Sequence, residues 1–281
     1  MSRSAADLAA EQASFWNGPG GTGWLAAYER IQRSIADIGE LALAAAAPLH
    51  GEHVIDVGCG TGGTTAVLAH GVGLAGHVLG VDISEKLVTA ARGHRLDNAS
   101  FVVGDAATHP FREAAYDLVF SRFGVMFFAE PVAAFRNLHR ALKPSGRLVF
   151  VAWRSAAENP WSTAPVRAAA PFLPPLPRPG PEEPGQFSFG DRARVERILR
   201  ESGFQHLRLE PIDRPIWIGD TVAEVVASSE RFGALARAFA GAEPEAVARA
   251  REAIAAALAP HEGPEGVRLP GACWLVEANA A

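Results

Sequence analysis

The chain has 281 residues, of which 48% are hydrophobic and 20% charged, and a net charge of −5. That composition supports a packed core and, with no basic run, weighs against electrostatic binding of nucleic acid. The longest apolar run, Leu41 to Leu49, falls short of the about 20 residues of a membrane span; two cysteines, Cys59 and Cys273, cannot build a disulfide framework or a thiolate metal site.

The opening residues, Met1-Ser2-Arg3-Ser4-Ala5, lack the apolar core of a secretion signal, so a cytoplasmic location is expected. Ala5 to Ser14 reads as a short helix, and Phe15 to Gly21 as a turn. Thr22 then caps a second helix ending near Pro48. Its apolar stripe is Trp24, Tyr28, Ile31, Ile35 and Ile38.

From His53 the pattern becomes short apolar runs alternating with helical stretches. The runs are His53–Val57, His77–Val81, Phe101–Val103, Asp117–Phe120 and Arg147–Trp153. They are nearly free of charge, as strands buried on both faces of a parallel sheet must be. The helical stretches between them are Thr61–His70, Glu85–His94 and Glu130–Leu142. This alternation predicts an α/β fold with a doubly wound, mostly parallel sheet.

Nine prolines between Ser155 and Gly190 predict neither a lasting helix nor a central strand there, but a stiff connection or lid. Within it, Pro174-Pro175-Leu176-Pro177-Arg178-Pro179 has the look of a polyproline ligand. Asp191 caps a further helix that buries Val195, Ile198 and Leu199 and stops at Gly203. Strand-like Phe204–Leu209 and Pro215–Ile218 follow, then a helical region over 220–258 and a terminal strand at Ala272–Val276.

The most informative segment is Val54-Ile55-Asp56-Val57-Gly58-Cys59-Gly60-Thr61-Gly62-Gly63. A buried strand runs into a glycine turn that opens a helix, whose free N–H groups favour an anionic or polar ligand. Gly58, Gly60 and Gly63 satisfy the dinucleotide fingerprint GxGxxG, so the motif alone is ambiguous. Asp56 separates the readings: a carboxylate beside the loop repels a pyrophosphate and attracts an ammonium or sulfonium group. Asp82, ending the second strand, is placed to accept from both hydroxyls of a ribose. Ile83 is placed to pack on a flat base, and Asp105, after the third strand, to accept from an exocyclic amine.

With these residues the chain resembles the class I S-adenosylmethionine-dependent methyltransferases, in the group of the ubiquinone/menaquinone C-methyltransferases. The resemblance rests on Val54–Gly62, Gly80-Val81-Asp82-Ile83-Ser84, Gly104-Asp105-Ala106, His109-Pro110-Phe111, Tyr116–Ser121 and Leu142–Leu148. It covers roughly residues 50–155. It implies a Rossmann-like sheet closed by a C-terminal antiparallel hairpin, S-adenosyl-L-methionine as cofactor and S-adenosyl-L-homocysteine as product. It implies cofactor contacts at Asp56, Gly58, Cys59, Gly60, Asp82, Ile83, Asp105, Ala106 and Ser121, with Ser121 near the sulfonium through its backbone. The expected organisation is a helical cover (1–49), a cofactor-binding core (50–155), a proline-rich connection or lid (156–190) and a completion of the core (191–281) with a helical insertion at about 220–265.

Transfer from a sulfonium needs positioning and desolvation more than acid catalysis, but a hydroxyl acceptor also needs a base. Arg122, directly after the fourth strand, is a candidate for holding a substrate carboxylate or enolate. His109, where such enzymes often carry leucine, is a candidate base or donor. Trp16, Trp24, Tyr28, Phe123, Met126 and Trp153 are candidates for an apolar pocket over a small, hydrophobic or aromatic acceptor. No metal is expected, no nucleic-acid partner and no membrane span, and the chain is expected as a monomer or homodimer. Two rivals remain: a nicotinamide-dependent oxidoreductase, which lacks a Tyr-x-x-x-Lys pair here, and a cofactor-binding module without turnover.

Overall fold

The structure, a computed structural model, describes residues 3–176, 180, 182–231 and 235–280. Three helices lead: α1 (Ala5–Asn17), α2 (Pro19–Ala26) and α3 (Tyr28–Ala46). The core follows as β1 (His53–Val57), α4 (Gly63–Val72), β2 (His77–Asp82), α5 (Glu85–Ala91), β3 (Ala99–Val103), β4 (Tyr116–Arg122), α6 (Pro131–Ala141) and β5 (Leu142–Trp153). Then come α7 (Pro160–Ala169), α8 (Arg192–Glu201), β6 (Gln205–Gly219), α9 (Val222–Ser229), α10 (Ala236–Ala240), α11 (Pro244–Leu258), β7 (Glu262–Gly263) and β8 (Gly266–Asn279).

The sheet order is β3-β2-β1-β4-β5-β8-β6, with β7 paired to β8. Strands β1 to β5 pair in parallel, while β8 runs antiparallel to both β5 and β6. Val54, Ile55, Leu118, Val119, Phe120, Val149 and Phe150 are almost wholly out of water, because helices cover both faces. The expected doubly wound sheet and closing hairpin are what the chain forms. Asp191 caps α8 by accepting from the N–H groups of Ala193 and Arg194, and Gly203 follows it with φ +99°.

Four expectations need correction. The turn at 15–21 shrinks to one joint: α1 runs to Asn17, Gly18 supplies the break, and Pro19 sits where a helix start tolerates proline. Thr22 is not a cap but accepts from the ammonium of Lys86 at 2.9 Å. The proline-rich segment contains a ten-residue helix, α7, because Pro160 takes the first position and Pro165 lies buried in the packed interior. The two short strands after Gly203 are one strand, β6, of 15 residues. Pro211 and Pro215 are tolerated on it because β6 is the edge of the sheet. Pro177, Arg178 and Pro179 of the polyproline-like stretch lie outside the described residues.

The hairpin positions the site. Trp153, the last residue of β5, pairs with Cys273, so residues 266–272 of β8 and 213–219 of β6 project beyond the ends of the parallel strands. Seven residues of strand reach about 23 Å. α3 buries Ile35, Ile38, Gly39, Ala42 and Ala46 against the sheet. Its end is fixed by Arg147 of β5, which donates to the carbonyls of Ala46 and Ala47 and pairs with Glu52 at 2.6 Å. Among the described residues no helix is long and apolar enough to cross a membrane.

Burial alone would raise the Glu52 carboxyl, but the Arg147 guanidinium and the Leu49 N–H outweigh it and hold it below its ordinary value of 4.5. A depressed folded pKa stabilises the fold above the unfolded value, and that stabilisation is lost as pH falls through the folded one. Glu52→Gln should therefore lower the melting temperature most at neutral pH. The gap from the unsubstituted chain should close below about pH 4.5; a gap independent of pH in thermal melts would remove the ion pair from the account.

Candidate active site

The glycine loop between β1 and α4 is bonded to its neighbours on both sides. The N–H groups of Gly58 and Cys59 donate to the Val81 carbonyl of β2 at 2.8 and 3.1 Å, and the Gly60 N–H donates to Asp82 at 2.8 Å. On the other side the Ser121 hydroxyl donates to the Val57 carbonyl at 2.8 Å and accepts from the Gly124 N–H at 3.1 Å. Gly58 is needed for two reasons: its φ is +67°, and a Cβ on it would stand 2.7 Å from the Cα of Gly124. Gly60, with φ +55°, faces more open space, since a Cβ there meets only the indole nitrogen of Trp24, at 3.9 Å.

Asp56, Asp82 and Asp105 end or follow three adjacent strands, beside the point where the sheet order reverses between β1 and β4. Each is held differently. Asp56 is fully buried and turned beneath the loop, where one oxygen accepts from the hydroxyls of Thr64 and Thr65 at 2.7 and 2.6 Å. Its other oxygen has no partner. Burial pushes its carboxyl up, against the two hydroxyls and the charge of Arg122, which pull it down. Asp56 therefore supports the start of α4 rather than lying open beside the loop, because two hydroxyls wait there to receive it. Asp82 accepts from Gly60 with one oxygen and from the Ser84 N–H with the other, at 2.9 Å. Burial raises it too, opposed by the N–H groups of Ser84, Gly60 and Ile83. A carboxylate has about four lone-pair sites, so three N–H donors leave Asp82 with room to accept once more. Asp105 accepts from the Ala107 N–H at 2.9 Å and turns the chain after β3.

Cys59 is tucked behind the loop, 5% exposed, and burial pushes its thiol well above its ordinary value, so it is no nucleophile at neutral pH. The Ile83 carbonyl accepts from the Asn17 side chain at 3.0 Å, and the Ala106 carbonyl from Asn137 at 3.1 Å. Asn17 also accepts from the Glu85 N–H at 3.0 Å, so the end of α1 is fastened over the turn between β2 and α5. Asn17, Asn137, Thr64 and Thr65 escaped the sequence reading. For the threonines the signal was present: two hydroxyls directly after the glycines, in the first turn of α4, face back toward β1.

The helices of the N-terminus lie over the loop. The Tyr28 hydroxyl is 3.3 Å from where a Cβ of Gly63 would stand. Trp16 meets Trp24 and Phe127 edge to face, with ring centres 6.1 and 5.1 Å apart. A second aromatic group forms at the ends of β4 and β5, where Phe123 stacks on Trp153 at 4.4 Å and 8°, and Trp153 meets Trp161 at 4.7 Å. Met126 lies beneath them, 1% exposed, its sulfur accepting from the Trp153 N–H at 3.3 Å.

The two reactive candidates are not brought together. His109 leans on Phe111 edge to face at 4.7 Å, and its Nδ1 lies 3.2 Å from where a Cβ of Gly104 would stand, beyond β3. Arg122 ends β4, three strand spacings or about 14 Å along the sheet. Its guanidinium donates to Gln32 of α3 at 2.8 Å and acts on the charge of Asp56. Burial pushes its pKa down, Asp56 and Tyr28 opposing, yet arginine stays cationic. Among the described residues no cluster of histidine, cysteine or carboxylate side chains is arranged to hold a metal.

The pieces fit a ligand that carries a cation and a ribose. The loop is open where Gly60 lacks a side chain, and Asp82 has a lone pair to spare.

A family model described as a methyltransferase domain matches residues 55–150. The demethylmenaquinone methyltransferase of Staphylococcus saprophyticus is 28% identical over 175 residues, covering 57% of this chain and 72% of that protein. The solved YcgJ protein of Bacillus subtilis superposes with a TM-score of 0.57 at 15% identity, covering 87% of this chain and 98% of that one. The phosphoethanolamine N-methyltransferase 2 of Haemonchus contortus, solved with phosphomonomethylethanolamine and S-adenosylhomocysteine, gives 0.52 at 17% identity, covering 99% and 60%. At these identities the two solved structures show a shared fold.

Thr65→Val removes one of the two donors that hold the buried Asp56. Urea unfolding should show a loss of about 1–3 kcal/mol, and Thr65→Ser, which keeps the hydroxyl, should recover most of it. Equal stability of the valine and serine variants would mean that the hydroxyl is not what supports Asp56.

Proposed function

The chain is a class I S-adenosylmethionine-dependent methyltransferase of the quinone-methyltransferase-like type, and on that premise we propose that it methylates a small, flat, largely apolar acceptor. The observation that carries this reading is the concentration of aromatic side chains around the glycine loop and the strand ends: Trp16, Trp24 and Phe127 form one group, and Phe123 stacked on Trp153 forms a second, largely buried one. Aromatic surroundings favour a ring over a charged or highly hydrated acceptor. Demethylmenaquinone, named in the relative from Staphylococcus saprophyticus, has that chemistry, and a naphthohydroquinone is the simplest probe of it.

When bound, S-adenosylmethionine supplies a methyl group on a cationic sulfur that needs no acid to leave. In this reading Asp82 fixes the ribose, and the backbone of Gly58 and Gly60 gives close approach to the methionine portion. Ile83, Asp105 and Ala106 receive the base, and Ser121 holds the edge of β4 against the loop. α1 to α3, with α7 and the helices at 220–265, form the cover that excludes water. Arg122, held at the end of β4 by Gln32, is in this reading the cation that stabilises negative charge on an acceptor oxygen as the new bond forms. His109 stands at the base end, which suits it to shaping that pocket rather than taking the acceptor's proton. The oxidoreductase rival is not favoured: the matched family and the relative are methyltransferases.

Asp82→Ala should weaken S-adenosylmethionine binding by about 1–3 kcal/mol, about five- to 150-fold, in isothermal titration. Unchanged affinity would take Asp82 out of the site. For the acceptor, release of S-adenosylhomocysteine should be faster with 1,4-naphthohydroquinone than with ethanolamine or a short carboxylic acid. A chain that binds the cofactor but prefers the hydrated acceptors would overturn the aromatic reading.

A further inference from the structure

α3 is gripped from two sides, and the two grips meet the cofactor loop through the same helix turn. One face carries Tyr28, Gln32, Ile35 and Gly39 at three- and four-residue spacing. Tyr28 lies over Gly63, Gln32 receives Arg122, and the missing side chain of Gly39 lets the stem of Arg122 lie against the helix, 3.3 Å from a Cβ there. Arg30 and Arg33 leave the helix on another side. Arg30 pairs with Glu224 of α9 at 2.8 Å and donates to the Ile218 carbonyl near the end of β6. Arg33 places its guanidinium 3.8 Å from the centre of the Trp217 ring and pairs with Asp220 at 2.9 Å.

The contacts of Arg33 are at the surface, and exposed ion pairs are weak. Arg30 is different: its side chain is 24% exposed and one of its donors ends on a backbone carbonyl of a residue only 7% exposed. Gly219 makes this possible, since a Cβ there would stand 3.2 Å from the Arg30 guanidinium and 2.6 Å from Val225. The projecting end of β6 therefore holds the first turn and a half of α3 at a fixed distance from the glycine loop.

We infer that Arg30 is a positioning residue for cofactor binding, acting through α3 to hold Tyr28 over the glycine loop. This rests on the cofactor lying against that loop and not on the identity of the acceptor. Loss of the Arg30 contacts loosens the N-terminal turns of α3 against the hairpin, leaving Arg33 alone to hold them, and the bound cofactor must then supply the ordering that Arg30 otherwise provides. The coupling runs through one rigid helix, and changes at such second-hand positions alter affinity by about two- to thirtyfold.

The test is isothermal titration of S-adenosylhomocysteine into the full chain and its variants, with a thermal melt of each. Arg30→Met should raise the dissociation constant by about two- to thirtyfold. Arg30→Lys, which keeps the pair to Glu224, should recover most of the affinity. Gly219→Ala, which crowds the same contact from the strand side, should weaken binding in the same direction. Arg251→Met breaks the pair of Arg251 with Glu230, at 2.6 Å in the same helical region but away from α3, and should leave the affinity unchanged. Wild-type affinity in Arg30→Met overturns the inference, as does a loss that Arg30→Lys does not recover or that Arg251→Met shares. If Arg30→Met shows no melting transition, folded Gly219→Ala with wild-type affinity overturns it. Failure of the acceptor reading would appear only in the release assay and would not move these titrations.

Discussion

The loop after β1 is stitched to β2 on one side and to β4 on the other, and the arrangement of the candidate site depends on that double attachment. Two N–H groups of the loop share the Val81 carbonyl, a third reaches Asp82, and Ser121 returns the contact from β4. A glycine-rich segment is entropically costly to order. Here four hydrogen bonds, to β2 and from β4, and the close approach of Gly124 to Gly58 do the ordering. The groups that shape the loop are all the protein's own, and a site shaped in this way spends less of its binding energy on ordering itself.

Most of the core was legible because its signals are local. A short run of apolar residues is a strand of the sheet, a glycine cluster after it is a turn into a helix, and both rules use only near neighbours. The failures come from contacts distant in sequence. Pro211 and Pro215 look like strand breakers until β6 is known to be the sheet edge. Pro165 looks like a helix breaker until its burial in α7 is seen. Asp56 looks like a ligand-facing group until Thr64 and Thr65 are seen to claim it. Arg122 looks like a free cation until α3 brings Gln32 to it. In each case the residue's chemistry was read correctly and its partner was not, because the partner lies on an element whose docking no local pattern encodes.

The covering elements divide the work unequally. α1 and α2 are tied to the ribose-side turn by Asn17, Lys86 and the bond from Ser84 to the Trp16 carbonyl, while α3 is tied to the far hairpin by Arg30 and Arg33. α1 buries none of its residues fully, whereas α3 buries five. The first two helices are thus held by a few polar contacts and α3 by apolar packing, so local opening costs less at α1 and α2 than at α3.

Phe123 has one more consequence. It follows Arg122 with φ +64°, a left-handed backbone that a residue with a bulky side chain seldom adopts, at a cost of about 1–3 kcal/mol. What holds it there is the flat stack on Trp153 and the bond from its N–H to the Val151 carbonyl at 3.0 Å. The end of β4 is therefore a bent spring kept loaded by a neighbouring indole. The turn by which the chain leaves β4 is thereby held by Trp153, a residue 30 positions from Phe123 in sequence and on a different strand.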